Sequence, residues 1–382
     1  MKNVILAKAA YAGGKKGVAI LFIALILASW LVMDVRALEM DLEQAEAFGV
    51  AEIENSLPDE ARDILGDITV MDSISYESFF TKLGAAAREI LTRVVRKGLR
   101  SSALLLMAAV LCSLAGAVCS VDIPDFIPLC GTAAVAAVAV GDVRAFIGMG
   151  ADTLYRLSEY SKVLLPSIAS AAAASGAYTS ATMKYTATAL FIDILLTATV
   201  NILMPMVYAY IAVIIANAAF GGEALDAVSK LLKWLCTSML TILMLIFTGY
   251  LSISGIISGT ADATVTRVAK NAISTALPVV GGIVSGAAET ILAGAGILRN
   301  AIGVFGMLSV AAVCLAPFLS IGSQYLLYKL TAGIAAALAD RRLGGLISGI
   351  GSAFGIVLGL VGSGAFMMFI SLVSSMRAVT GT

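Results

Sequence analysis

Asp193 sits inside ALFIDILLTATVNILMP, residues 189–205, with Thr197 and Asn201 following at i+4 and i+8. That spacing sets all three on one helical face. A carboxylate in such apolar surroundings is costly in hydrocarbon and faces a bundle interior or a water path. Two chemistries fit the stripe: a pore-lining or ion-coupling surface, or hydrogen bonds between helices. Glu289 and Arg299 are further isolated charges, able to pair with each other or with Asp193. Other chemistries are excluded more firmly. The chain has no histidine, so imidazole serves neither as base, proton shuttle nor metal ligand. No G-x-x-x-x-G-K-[ST] loop, H-E-x-x-H motif or nucleophile elbow occurs. Cys112, Cys119, Cys130, Cys236 and Cys314 lie in or beside apolar runs without a C-x-x-C pair, and read as small buried side chains. No catalytic residue, metal or cofactor is expected, and energy for any transport would come from a separate nucleotide hydrolase or an ion gradient.

The elements holding these residues must be membrane helices. With 60% hydrophobic and 13% charged residues, a water-soluble globule could not cover its apolar surface. The fold class expected is an all-α polytopic membrane helical bundle. A net charge of zero argues against nucleic acid as a partner and leaves the lipid bilayer. Within the apolar sequence, ISTALPVVGGIVSGAAETILAG (273–294) and VLLPSIASAAAASGAYTSATMKY (163–185) are loaded with proline, glycine and serine. Pro166 and Pro205 stand 39 positions apart, as do Pro278 and Pro317, and the pairs are offset by 112. Ser175 and Gly176 follow the first proline, while Gly281, Gly282 and Gly286 follow its counterpart. The pattern suggests an internal duplication, with halves at about 150–261 and 262–373, although the offset from Asp193 lands on Phe305. Duplicated membrane units with interrupted segments in corresponding positions are common in transporters.

Proline removes an amide donor and glycine weakens a helix. Non-helical backbone survives at membrane depth only beside protein or water. The two segments therefore read either as re-entrant hairpins around a polar centre or as kinked, tightly packed full spans. Gly351, Gly355 and Gly359, spaced by four, form a groove for close helix approach within the chain or against another copy. The basic pairs Lys230/Lys233 and Arg341/Arg342 should share one side if the halves run parallel, the arrangement favoured here.

Residues 1–37 combine Lys2, Lys8, Lys15 and Lys16, an apolar run from Val18 to Met33, and Val35-Arg36-Ala37, the pattern of a secretory signal peptide; an uncleaved first span is the alternative. Residues 38–100 read as an acidic extracytoplasmic segment followed by an amphipathic, basic helix lying on the membrane surface. Residues 101–382 form the multi-pass domain. Its first spans are 101–121 and 126–141, followed by a solvated connection carrying Asp142, Arg144, Asp152, Arg156, Glu159 and Lys162.

The run SGTADATVTRVAKNAISTALPVVGGIVSGAAETILAGAGILRNAIGVFG, residues 258–306, resembles the stage III sporulation protein AE family of endospore-forming Firmicutes. The likeness covers about residues 75–380. It implies a non-enzymatic channel or permease-like protein in the mother-cell membrane surrounding the forespore, needed for late forespore development. Partners implied are the other stage III A sporulation proteins, including a separate ATPase and ring-forming subunits. Alternatives on the residues alone are a self-sufficient secondary transporter of a small solute, using Asp193 for coupling, and a membrane assembly scaffold, with homo-oligomers possible in each case.

Overall fold

The computed structural model describes residues 48–66, 69–70, 76–118, 126–176, 178–276 and 281–376. Nine α-helices and one π-helical turn make up the described chain. Two short helices, α1 (Val50–Asn55) and α2 (Asp59–Leu65), precede the long ones. Gly49 at φ 70° enters α1 and Gly66 at φ 62° leaves α2, both left-handed positions that suit a residue without Cβ. Pro58 sets an extended entry to α2. The long helices are α3 (Tyr76–Val118), α4 (Phe126–Ala174), α5 (Tyr178–Ala198), α6 (Met204–Phe220), α7 (Glu223–Ala276), α8 (Gly281–Leu338) and α9 (Arg341–Met376). A π turn, Thr199–Leu203, joins α5 to α6.

Among the described residues, six stretches are long and apolar enough to cross a membrane, lying in α3, α4, α5 with α6, α7, α8 and α9. The chain is an all-α, multi-pass membrane protein. Its helices nevertheless exceed a bilayer. At 1.5 Å per residue, the 49 residues of α4 extend about 74 Å and the 58 of α8 about 87 Å, against roughly 30 Å of hydrocarbon. Much of each must stand outside the acyl region. The surface and the first span of the basic stretch are likewise one element, because α3 runs unbroken from Tyr76 to Val118.

The helices gather their turns at one end. A Cβ on Gly131 of α4 would lie 3.1 Å from Leu343 of α9 and 3.2 Å from Cys112 of α3. Gly221, between α6 and α7, lies 3.9 Å from Arg342 Nη2 by the same construction. Gly221 and Gly222, at φ 72° and 128°, make the α6–α7 turn. Asp340 caps α9, its Oδ1 accepting from the Arg342 amide at 2.9 Å. The basic pair of α7 and that of α9 therefore begin from the same end of the bundle. At the opposite end, Ile53, Ala61 and Leu65 of α1 and α2 are buried with Leu164, Ile168 and Ile302 in one core cluster. A second cluster, around Leu105, Val135, Ile350 and Phe354, fills the turn end.

The described prolines lie within helices or at their start. Helix α4 passes through Pro166 and α8 through Pro317 without interruption. Pro166 forfeits the amide bond to the Lys162 carbonyl. Its neighbours Leu164, Leu165 and Ile168 are buried in the core, and that packing holds the helix together across the gap. Pro205 falls in the first turn of α6, where a missing amide costs little, directly after the π turn. The first real break comes at Ser175 and Gly176, with Gly176 at φ 89°. Pro278 lies outside the described residues; Gly281 and Gly282 open α8, and Gly286 lies within it. The stretch from Asp142 to Lys162 is part of α4 rather than a separate connection; Asp142 is buried, while Arg144, Asp152, Arg156, Glu159 and Lys162 are exposed.

Candidate functional site

The stripe of Asp193, Thr197 and Asn201 lies on the outside of the chain. Asp193 and Thr197 on α5, and Asn201 in the π turn, are all exposed. Asp193 is close enough to Lys162 of α4 for an electrostatic interaction, and Lys162 itself bonds Glu159 at 2.6 Å. Apolar Leu190, Ile194, Val200 and Ile202 are exposed around the stripe. A polar ridge thus crosses an apolar outer surface. Buried Phe191, Leu195 and Leu203 on the opposite face of the same segment join the core.

Arg299, in contrast, is 2% exposed. Its Nη1 donates to Ser175 Oγ at 3.3 Å and its Nη2 to the Met376 carbonyl at 2.9 Å. Ser175 directly follows the C-terminus of α4, and Met376 is the last residue of α9. A buried guanidinium is thus placed where two helix C-termini present their negative dipole ends. This gives the cation compensation without a carboxylate among its recorded hydrogen bonds. Arg299 Nε and the neighbouring Asn300 Oδ1 have no hydrogen-bond partner among the described residues. Glu289 falls among residues whose side chains lie outside the described set. Replacing Arg299 with methionine should loosen both helix ends by about 1–3 kcal/mol, while lysine should restore part of the loss. Amide exchange at 174–176 and 373–376 checks this; unchanged protection in the methionine variant would remove the capping role.

Two polar centres escaped the sequence reading. Asp142 of α4 is buried, and its Oδ2 accepts from Gln324 Nε2 at 2.8 Å and from Tyr328 Oη at 2.9 Å, both on α8. Nearby acidic and basic residues disguised Asp142 as part of a wet connection. The signal available was Gln324 and Tyr328 at i and i+4 within an otherwise apolar helix. The other centre is Ser352 on α9. Its Oγ accepts from Lys329 Nζ of α8 at 2.7 Å and from Lys233 Nζ of α7 at 3.3 Å. Lys329 also donates to the Ser348 carbonyl at 2.6 Å and the Ser348 hydroxyl at 2.9 Å. Three helices are pinned at one serine.

The glycines of α9 lie at close approaches. Added Cβ atoms would stand 3.1 Å from Tyr328 Cβ at Gly351, 3.0 Å from the Tyr325 ring at Gly355 and 3.5 Å from Leu240 at Gly359. The first two thus face α8 and the third faces α7. Around the first segment, Gly296, Gly303 and Gly306 of α8 approach Ser175, Ile168 and Leu164 of α4. The end of the first interrupted segment therefore packs along the helix that follows the second. Among the described residues, no cluster of three metal-ligating side chains occurs.

Buried polar pins between long apolar helices define a multi-pass helical membrane protein whose polar residues hold helices together. The chain belongs to the Stage III sporulation protein AE family, whose model matches residues 69–378. It is 21% identical over 196 residues to Stage III sporulation protein AE of Bacillus subtilis (strain 168), covering 51% of this chain and 49% of that protein. The chain thus spans about half the length of this curated relative in the alignment. No solved structure matches.

Proposed function

We propose that the chain is a non-enzymatic, channel- or permease-like component of a sporulation complex linking mother cell and forespore and required for late forespore development. On this reading it works in the membrane around the forespore with other stage III A proteins, including a separate ATPase and ring-forming subunits. The path runs between copies of the chain rather than through one. The carrying observation is that Asp193, Thr197 and Asn201 face outward, while the described interior is packed with apolar side chains and with polar ones bonded between helices. Exposed polar groups within an apolar outer surface need water or a partner. Copies arranged with this ridge inward supply both.

The test places single cysteines at 193, 197 and 201 in a chain whose own five cysteines are replaced, in sporulating cells. Water-lined positions should react with a charged thiol reagent about tenfold faster than cysteines at the exposed apolar positions 111 and 114 of α3, and should cross-link between copies. Uniformly slow labelling without cross-links, in cells that still sporulate, would leave the scaffold reading. That second reading is favoured by the same filled interior. The secondary-transporter reading loses its main support, because Asp193 lies on the outer surface of the single chain.

A further inference from the structure

Helix α3 carries a surface whose character switches at one residue. Arg93, Arg96, Lys97 and Arg100 share a face by i+3 and i+4 spacing, Arg88 flanks it one turn earlier, and all are exposed. With Glu89 they line one open groove. Arg93 bonds Glu89 at 2.6 Å, whereas Arg88, Arg96, Lys97 and Arg100 have no carboxylate partner among the described residues. Continuing along the same face past Arg100, the exposed residues become Leu104, Met107, Leu111 and Leu114, at 44%, 57%, 60% and 57% exposure. No described helix covers them. From Arg100 to the helix end at Val118 the rise is about 27 Å, close to the roughly 30 Å of a hydrocarbon core. A helix face that is apolar over one bilayer thickness and cationic immediately beyond it matches the boundary between acyl chains and headgroups.

We propose that this stripe binds anionic phospholipid headgroups, with Arg96, Lys97 and Arg100 at phosphate level and Leu104 to Leu114 against the acyl chains of the same lipids. The match is one of charge as well as register. Arginine forks suit phosphate oxygens, and the alkyl stems of long cationic side chains reach from the acyl boundary to the headgroup plane. The orientation differs from an interfacial helix lying flat. Here α3 stands upright, with lipids on one face and the bundle on the other, where a Cβ added to Gly98 would collide with Leu327 and Gln324 of α8. The cationic stripe and Gln324, which bonds Asp142, thus lie across α3 from each other at one level.

The full chain, purified in mild detergent and placed in nanodiscs of phosphatidylcholine with or without phosphatidylglycerol, provides the test. Native mass spectrometry counts the lipids retained. Wild type should retain phosphatidylglycerol over phosphatidylcholine, and the preference should fade as salt rises. Each charge removed in Arg96→Gln, Lys97→Gln and Arg100→Gln should weaken that association by about fivefold. Arg96→Lys with Arg100→Lys should keep most of it, which separates charge loss from misfolding. Equal retention of both lipids by wild type would overturn the proposal. So would an unchanged preference in the glutamine variants, or binding of a soluble peptide of residues 38–72 with no preference between the two lipids, which would assign the stripe to an acidic protein segment.

Discussion

Gly344→Ala should destabilise the chain by about 2–3 kcal/mol, while the same change one residue later, Gly345→Ala, should be neutral or stabilising by up to about 1 kcal/mol. The two glycines differ only in what stands beside them. A Cβ on Gly344 would lie 2.8 Å from Ala336 Cβ and 2.9 Å from both the Cα and the backbone nitrogen of Ala336. Backbone atoms cannot rotate aside as a leucine tip can. Ala336 is in the last turns of α8 and Gly344 in the first turn of α9, joined by the short turn at Ala339 and Asp340. The α8–α9 pairing is the most extensive between the described helices, so the collision is relayed along the whole hairpin. Gly345 has nothing within 4 Å, and there alanine only improves helix propensity. Unfolding in mixed detergent measures both. Similar midpoints for the two variants would show that the hairpin yields, and that the close approach sets nothing.

Gly344 also illustrates what the sequence exposes and what it withholds. Membrane class, the helical content and family membership are legible because they depend on composition and on local runs, such as residues 258–306. The spacing of Gly351 and Gly355 by four marks a groove on α9, though not which helix enters it. Tyr328 and Tyr325 supply that answer only in three dimensions. Proline misleads in the opposite way. Its local effect is to end helices, but Pro166 and Pro317 sit where neighbouring helices pack against both sides, and tertiary burial overrides the local penalty. Asp193 looked interior because a carboxylate among leucines should avoid lipid; periodicity cannot say whether its face turns toward its own bundle or a neighbour's. Asp142 was misread for the converse reason. Its sequence neighbours are charged, but Arg144 points outward while Asp142 turns inward, two positions away on the same helix. What remained hidden was long-range pairing, as between Asp142 and Gln324, 182 positions apart.

That pairing sets the other large effect. Asp142→Leu should cost about 2–4 kcal/mol, Asp142→Asn markedly less, and Tyr328→Phe about 1 kcal/mol. Leucine removes the acceptor and leaves two buried donors, Gln324 Nε2 and Tyr328 Oη, facing apolar neighbours. Water cannot readily replace it, since Gln324 and Tyr328 are 1% and 0% exposed. Asparagine preserves one acceptor oxygen, and its amide can offer a donor to Gln324 Oε1, which has no partner among the described residues. Tyr328→Phe deletes a single donor and keeps the ring stacked edge-on to Phe354 at 5.0 Å. A double-mutant cycle between Asp142 and Tyr328 should return a coupling of about 1–2 kcal/mol, because each single change already breaks the shared bond. The same bond ties α4 to α8 beside Gly98 of α3, so its loss should separate all three helices where α3 changes from apolar to cationic. Cysteine pairs across α3 and α8, cross-linked efficiently in wild type, should then link poorly in Asp142→Leu. Additive single effects, with cross-linking intact, would reduce the aspartate to a tolerated polar residue and move the burden of holding these helices to the leucine packing around it.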